Sequence, residues 1–496
     1  MLVCTVNGMI RDGGISLRDM AQRVVHMAEG MGASYADCRV VQRTSEFISV
    51  RNREIENLNS GDDMGVGVRV IVSGGWGFAS TNRLDASSLR DCVSRAVDVA
   101  RSGARVRKYP VELVPEPVHV DEWIRPVRID PFAVDMAVKL ELLTESSEAM
   151  LREGASIARA CLVSARDTQV FANSEGSLIK QVLTESGGGL YAMAVGRGHT
   201  QVRTYPCTTW HDIQGEGWET IEERDLLGNA PRVGSEAVQL LSAPACPDMT
   251  TDVIIAPNEL ALQIHESVGH AVEADRVLGH EADLAGTSFI HPDMLGTYRY
   301  GSEKVNLFAD PTIPGSRITC KYDDEGVKTG RVDLVKDGIL VGLSTSRETA
   351  HELGLDRSGG CMRANNYDHI PLIRMPMVSL APGDISYEDL IASTERGILL
   401  DQNRSWSIDD RRLNFQFGSE VGWLIEDGQI TQMVRDPIYA DMTPSFWSKC
   451  DAIADENDWR ILGYACGKGT PGQDGRVAHG CSHARFSGMD VGAKKS

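Results

Sequence analysis

His265, Glu266 and His270 stand within one short run, Ile264-His265-Glu266-Ser267-Val268-Gly269-His270-Ala271. Two imidazoles with a carboxylate beside the first form the donor set of a zinc hydrolase. Neutral His nitrogens bind the metal and Glu serves as general base. In the familiar pattern, H-E-x-x-H, the histidines are four apart and lie about 40° apart round a helix. Here they are five apart, about 140° on a regular α-helix, which is too wide for one metal. A π-type turn, with i→i+5 bonding, returns such a pair to one side, and these turns are frequent at functional sites. Gly269, just before the second His, makes that deformation cheaper.

A helix must carry this run, and the flanking residues supply one. Pro257 suits a first helical turn. Leu260, Ile264, Val268, Ala271 and Val272 follow the rhythm of a buried stripe, with His265 at its border and Glu266 off it. A third ligand must come from elsewhere, and acidic and thiol candidates are numerous. The best placed is Cys466, in Tyr464-Ala465-Cys466-Gly467-Lys468-Gly469. Neighbouring glycine lets backbone approach a metal, and Lys468 favours the thiolate. A buried structural cysteine is the alternative. Cys481, in His479-Gly480-Cys481-Ser482-His483, is a second candidate. Its C-x-H grouping with His483 would suit a separate metal.

The chain has 496 residues, room for two to four domains, with 42% apolar and 24% charged residues. No run approaches the ~20 apolar residues that span a bilayer. Met1 to Gly8 lacks the apolar core of a secretory signal. Eleven scattered cysteines do not form a disulfide framework. These features fit a cytoplasmic chain. A net charge of −20 argues against non-specific binding of nucleic acid or anionic membrane.

Apolar periodicity predicts helices over 16–30, 86–101, 134–153 and about 226–241. Strands are expected over 40–52 and 65–80, the second folding back at Gly74-Gly75 as a hairpin. Further strands are expected at 157–163, 169–172, 178–185, 190–195 and 201–207, with Gly187-Gly188-Gly189 between two of them. The proline-rich run 109–131 reads as a linker. From Asp252 onward comes a strand, the His/Glu helix and then mostly β structure. Asp337-Gly338 and Asp427-Gly428 sit between apolar stretches as hairpin turns do. Asp323-Asp324-Glu325-Gly326 reads as a turn in preference to a calcium or magnesium site. Ser405-Trp406-Ser407 and Arg411-Arg412 read as a structural loop in preference to a carboxylate-binding one.

These residues carry a resemblance. The chain resembles the TldD/PmbA family of zinc metallopeptidases, on the TldD side, almost end to end. The matching motifs are Gly65-Val66-Gly67-Val68-Arg69, Trp76-Gly77-Phe78-Ala79-Ser80-Thr81 and His265-Glu266-Ser267-Val268-Gly269-His270-Ala271-Val272-Glu273-Ala274-Asp275. They continue with Asp323-Asp324-Glu325-Gly326, Arg374-Met375, Asn414-Phe415-Gln416-Phe417-Gly418, Cys466-Gly467-Lys468 and Pro471-Gly472-Gln473. The resemblance implies that His265, His270 and Cys466 bind zinc and that Glu266 is the catalytic glutamate. It also implies a cytoplasmic dimer that cuts unfolded or modified peptides, formed by two copies or with a metal-free TldE/PmbA-like subunit. Arg374-Met375 continues as Pro376-Met377 where many relatives have Thr-Asn; if that stretch lines the cleft, substrate preference differs.

The expectation is therefore an α+β protein: two small N-terminal α+β units, residues 1–108 and 132–243, joined by the linker 109–131, precede a β-rich metallopeptidase domain, 244–496. Its function is peptide hydrolysis, with Glu266 as general base on a water activated by zinc. The alternative is a non-catalytic subunit that binds peptides and holds zinc only for structure.

Overall fold

The computed structural model describes residues 16–208, 212–283 and 286–493. The N-terminal half is built on one eight-stranded sheet. Its main path runs Gly75–Thr81, Glu54–Val72, Tyr35–Arg51, Ile157–Asn173, Leu178–Gly196 and Val120–Ile124; His199–Tyr205 and Asp212–Gln214 also pair with Leu178–Gly196. Even-numbered residues such as Val40, Val50, Ala160 and Val170 point to one face. That face is covered by the helices Leu17–Gly30, Ala86–Ala104, Met136–Arg152 and Leu226–Leu240. Ser16, Asp85 and Asp135 cap the first three of these with side-chain oxygens. The opposite face carries Asp37, Arg39, Asp167 and Glu185, all buried against the C-terminal half.

Two expectations change here. The sheet runs through both N-terminal units, and the proline-rich segment between them is part of it. Between Pro117 and Pro126 no proline interrupts the chain, and Val120–Ile124 pairs in parallel with Leu178–Val182. The triple glycine does not end a strand either. Leu178–Gly196 passes through it unbroken, because a Cβ at Gly187 would stand 2.3 Å from the carbonyl of Asp212 on the neighbouring strand.

In the C-terminal half, Met249–Ile255, Arg396–Ile408, Asn414–Glu426, Pro437–Met442 and Ala484–Ala493 pair in a closed ring. Phe415, Phe417, Phe446 and Phe486 belong to the same core as Leu260, Ile264 and Val268 of the His/Glu helix. The helix that bears the site is therefore seated on the ring. The turns at Asp337-Gly338 and Asp427-Gly428 both have positive φ at both residues, as two-residue hairpin loops require. A separate hairpin, Arg460–Lys468 with Gln473–Cys481, packs against that helix.

Candidate metal centre

The helix Pro257–Ile264 passes directly into a π-turn, His265–Gly269. The His270 N–H donates to the His265 carbonyl at 3.1 Å, the i→i+5 bond that the spacing of the two histidines calls for. Such a turn disturbs the helical ladder, and buried side chains compensate. The Tyr300 hydroxyl donates to the Ser267 carbonyl, and Trp447 Nε1 donates to Ser267 Oγ at 3.0 Å. Gly269 has a second reason to be glycine: a Cβ there would lie 2.3 Å from Sδ of the buried Met375.

The turn sets the two imidazoles edge to face with centroids 4.7 Å apart. Cys466 reaches them from the hairpin strand Arg460–Lys468, its Sγ 3.4 Å from His270 Nε2. Ligand atoms of His265, His270 and Cys466 all lie within 4.8 Å of one another. An N and an S donor on one tetrahedral zinc are roughly 3.5 Å apart, so the set fits that ion.

Hydrogen bonds behind the ligands fix which nitrogens face the site. The Val378 carbonyl can only accept, so His479 Nδ1 donates to it at 2.8 Å and His479 Nε2 is an acceptor. His265 Nδ1, 2.9 Å from that Nε2, must therefore donate, which leaves His265 Nε2 bare. His270 Nδ1 donates to Glu273 Oε2 at 2.9 Å, leaving its Nε2 bare toward Cys466. Metal-binding histidines are usually oriented in this way. Burial pulls the His265 imidazole down to about 4 and lowers His270 too, so both are neutral at pH 7. Burial pushes the Cys466 thiol up, but His270, and Arg374 behind it, outweigh that, and its net shift is downward.

Lys468 does not act on the thiol as its position suggests. It is buried and bonds Asp275 Oδ2 at 2.7 Å and Glu273 at 3.3 Å, so it clamps the hairpin to the chain after the π-turn. Arg374-Met375-Pro376-Met377 does not line the cleft. Its residues pack behind the site, where Arg374 donates to the Cys466 carbonyl at 2.5 Å. Cys481 stands apart from the three ligands, with Sγ 3.5 Å from the Pro257 carbonyl. His483 is engaged by Asp458 at 2.7 Å, so the C-x-H pair does not converge. The acids of Asp323-Asp324-Glu325 accept backbone N–H groups and face Arg39 and Arg69, which makes the segment a turn anchored on the N-terminal sheet.

Glu266 and the three candidate ligands line a cleft of about 820 Å³. Its walls include Tyr191 and Val202 from the N-terminal sheet and Asn403 and Trp406 from the ring. Ser405-Trp406-Ser407 is part of the strand Arg396–Ile408 and not a loop; Trp406, 55% exposed, lines the cleft, and Arg412 reaches Glu266 Oε2 there at 2.6 Å. Beyond Leu400, no strand among the described residues pairs with Arg396–Ile408 on the side that Met249–Ile255 occupies earlier, although Thr208 Oγ1 bonds the Asn403 carbonyl and Asn403 Nδ2 the Ser405 carbonyl; this edge borders the cleft. His479 carries no signal in the sequence, since a lone histidine far from the helix is uninformative. Glu273 does carry one, being an acid three residues beyond a candidate ligand.

Known proteins resemble this chain in sequence and in fold. Residues 248–493 match the PmbA/TldA metallopeptidase C-terminal domain, and residues 36–100 match PmbA/TldA metallopeptidase domain 1. A metalloprotease of Methanocaldococcus jannaschii is 30% identical, over 88% of this chain and 92% of its own. A zinc metalloprotease TldD homolog of Saccharolobus solfataricus is 23% identical, over 95% of this chain and 99% of its own. The crystal structure of TldE from Thermococcus kodakarensis superposes with a TM-score of 0.71 at 17% identity, over 96% of this chain and 100% of that one, a likeness of fold.

Proposed function

This chain belongs to the PmbA/TldD family of metallopeptidases, and we propose on that premise that it is a zinc-dependent peptidase acting on unfolded or modified peptides. The observation that carries the reading is the π-turn. It is a local departure from helix whose effect is to set two bare imidazole nitrogens beside a thiol in a cleft. Three donors leave room for a reactant, as in catalytic sites; a structural site would need four, usually richer in thiolate. His265, His270 and Cys466 would hold zinc, which supplies Lewis acidity toward the scissile carbonyl and the attacking water. Glu266 takes a proton from that water and returns it to the leaving amine. Arg412 holds the carboxylate in place until then. The edge at residues 406–408, beyond the carbonyls taken by Thr208 and Asn403, suits an extended peptide that adds as a strand, with recognition mainly through backbone hydrogen bonds.

The proposal extends to a cytoplasmic dimer, with a second copy or a metal-free TldE-like subunit; the fold likeness to TldE supports the latter. Glu266→Gln tests the chemistry. It should keep about one zinc per chain and the fold, while hydrolysis of an unstructured peptide falls by at least about 10²-fold. Wild-type turnover in that variant would remove Glu266 from the reaction.

A further inference from the structure

A second cavity, about 50 Å³, lies where the polar face of the N-terminal sheet meets the C-terminal half. Its lining sets four arginines, Arg125, Arg317, Arg363 and Arg476, against two acids, Asp167 and Asp324, and Asp324 is already engaged by Gln169, the Ala364 N–H and, at 3.9 Å, Arg39. Asp167 bonds Arg43 at 2.7 Å and Arg476 at 2.8 Å. Glu185 bonds Arg476 at 2.8 Å and Arg317 at 3.0 Å. These two acids thus serve three guanidinium groups. Arg125 and Arg363 also line the cavity, and neither has a carboxylate in contact among the described residues. Arg125, 4% exposed, gives its N–H groups to the carbonyls of Thr184, Arg317 and Thr319. Arg363 donates to its neighbour's carbonyl and to Cys320 Sγ. Burial is costly enough to pull Arg125 down to about 10. Arg317, only 6% exposed, has a buried Nε–H with no acceptor.

Buried charge without a counter-charge in contact destabilises a fold, and an orphaned buried donor adds to that. Both are relieved by one species, a small anion. We propose that this cavity binds a small inorganic anion of chloride size, held by Arg125, Arg317 and Arg363. The cavity volume accommodates a few water-sized particles and excludes an organic anion such as a nucleotide. The anion would join the loops around Arg317 and Arg363 to the sheet strands bearing Asp167 and Glu185. Arg317 also donates to the Tyr464 carbonyl, two residues before Cys466, so the site braces the hairpin that carries the thiol.

Thermal unfolding of the full zinc-loaded chain tests this, with chloride replacing gluconate at constant ionic strength. A saturable rise of roughly 3 °C is expected with millimolar chloride. Arg125→Gln, which keeps a donor and removes the charge, should abolish the rise. A shift that does not saturate, or one equal in wild type and variant, overturns the proposal. Should the variant fail to fold, bromide-soaked crystals of the wild type decide. An anomalous peak beside Arg317 Nε supports the site, and water density alone there overturns it.

Discussion

Glu266 and Arg412 share a short ion pair on the floor of the cleft, and a base so held is oriented but also partly neutralised. Arg412→Met should therefore leave zinc content intact and change turnover at least about 10-fold, read as kcat on an unstructured peptide against metal content by atomic absorption. The proposed ligands divide in a testable way. Cys466→Ala should lower zinc content strongly and Cys481→Ala should not, because only the first thiol lies beside His270. His479→Phe should weaken zinc 10- to 100-fold in a chelator competition, roughly the usual effect of losing an orienting partner. An unchanged affinity would mean that His265 needs no help from behind. Much of this site was legible from residue types: the His-Glu pair, the odd spacing and the flanked cysteine. His479 was not, because it is 214 residues from His265 and only folding makes them neighbours.

The element that matters most is the helix from Pro257 into the π-turn, and its interior is unusually polar. Glu259 is fully buried, with Oε1 accepting from Asn403 Nδ2 and Oε2 without a partner. Burial pushes its carboxyl up to about 8. A raised folded-state value means stability that is complete below the unfolded value of about 4.5 and is lost as pH rises toward 8. The loss amounts to at most about 5 kcal/mol, and Glu420, raised to about 7, adds one of the same sign. Glu259→Gln should make the fall shallower, seen in urea midpoints from pH 5 to 9; an unaltered slope would show that Glu259 is not the titrating group. Elements differed in how well they could be read. Helices with clear caps and 3.6-residue periodicity match closely, as Leu17–Gly30 does. The 17- and 19-residue strands read only as fragments, because their polar face is buried in ion pairs and the expected alternation of core and solvent breaks down.

At the scale of the molecule, the junction between the two halves buries a set of paired charges. Burial raises the Glu185 carboxyl, but Arg317 and Arg476 outweigh it and hold the group at about 2. Asp167 is held lower still by Arg476 and Arg43, against the same effect of burial. Depressed values mean stability that is present above the unfolded range of about 4 to 4.5 and is lost as pH falls toward 2. Asp167→Asn leaves Arg43 without a carboxylate and Arg476 with Glu185 alone, and should cost about 3 kcal/mol at pH 7, measured by denaturant unfolding. Light scattering should give the mass of a dimer, and one sequence should be cut when unfolded and spared when folded; equal cleavage of both forms would argue against an enclosed site. Closure of the ring was beyond sequence reasoning, since it depends on pairings between segments more than 200 residues apart. That closure also has a schedule. The strand that seals it, Ala484–Ala493, and the hairpin that brings the thiol both follow the histidines along the chain, and 196 residues separate His270 from Cys466. At ribosomal speeds of about 5–20 residues per second, the histidine pair waits roughly 10–40 s for its third partner. Until then the growing polypeptide carries the two histidines without the thiol.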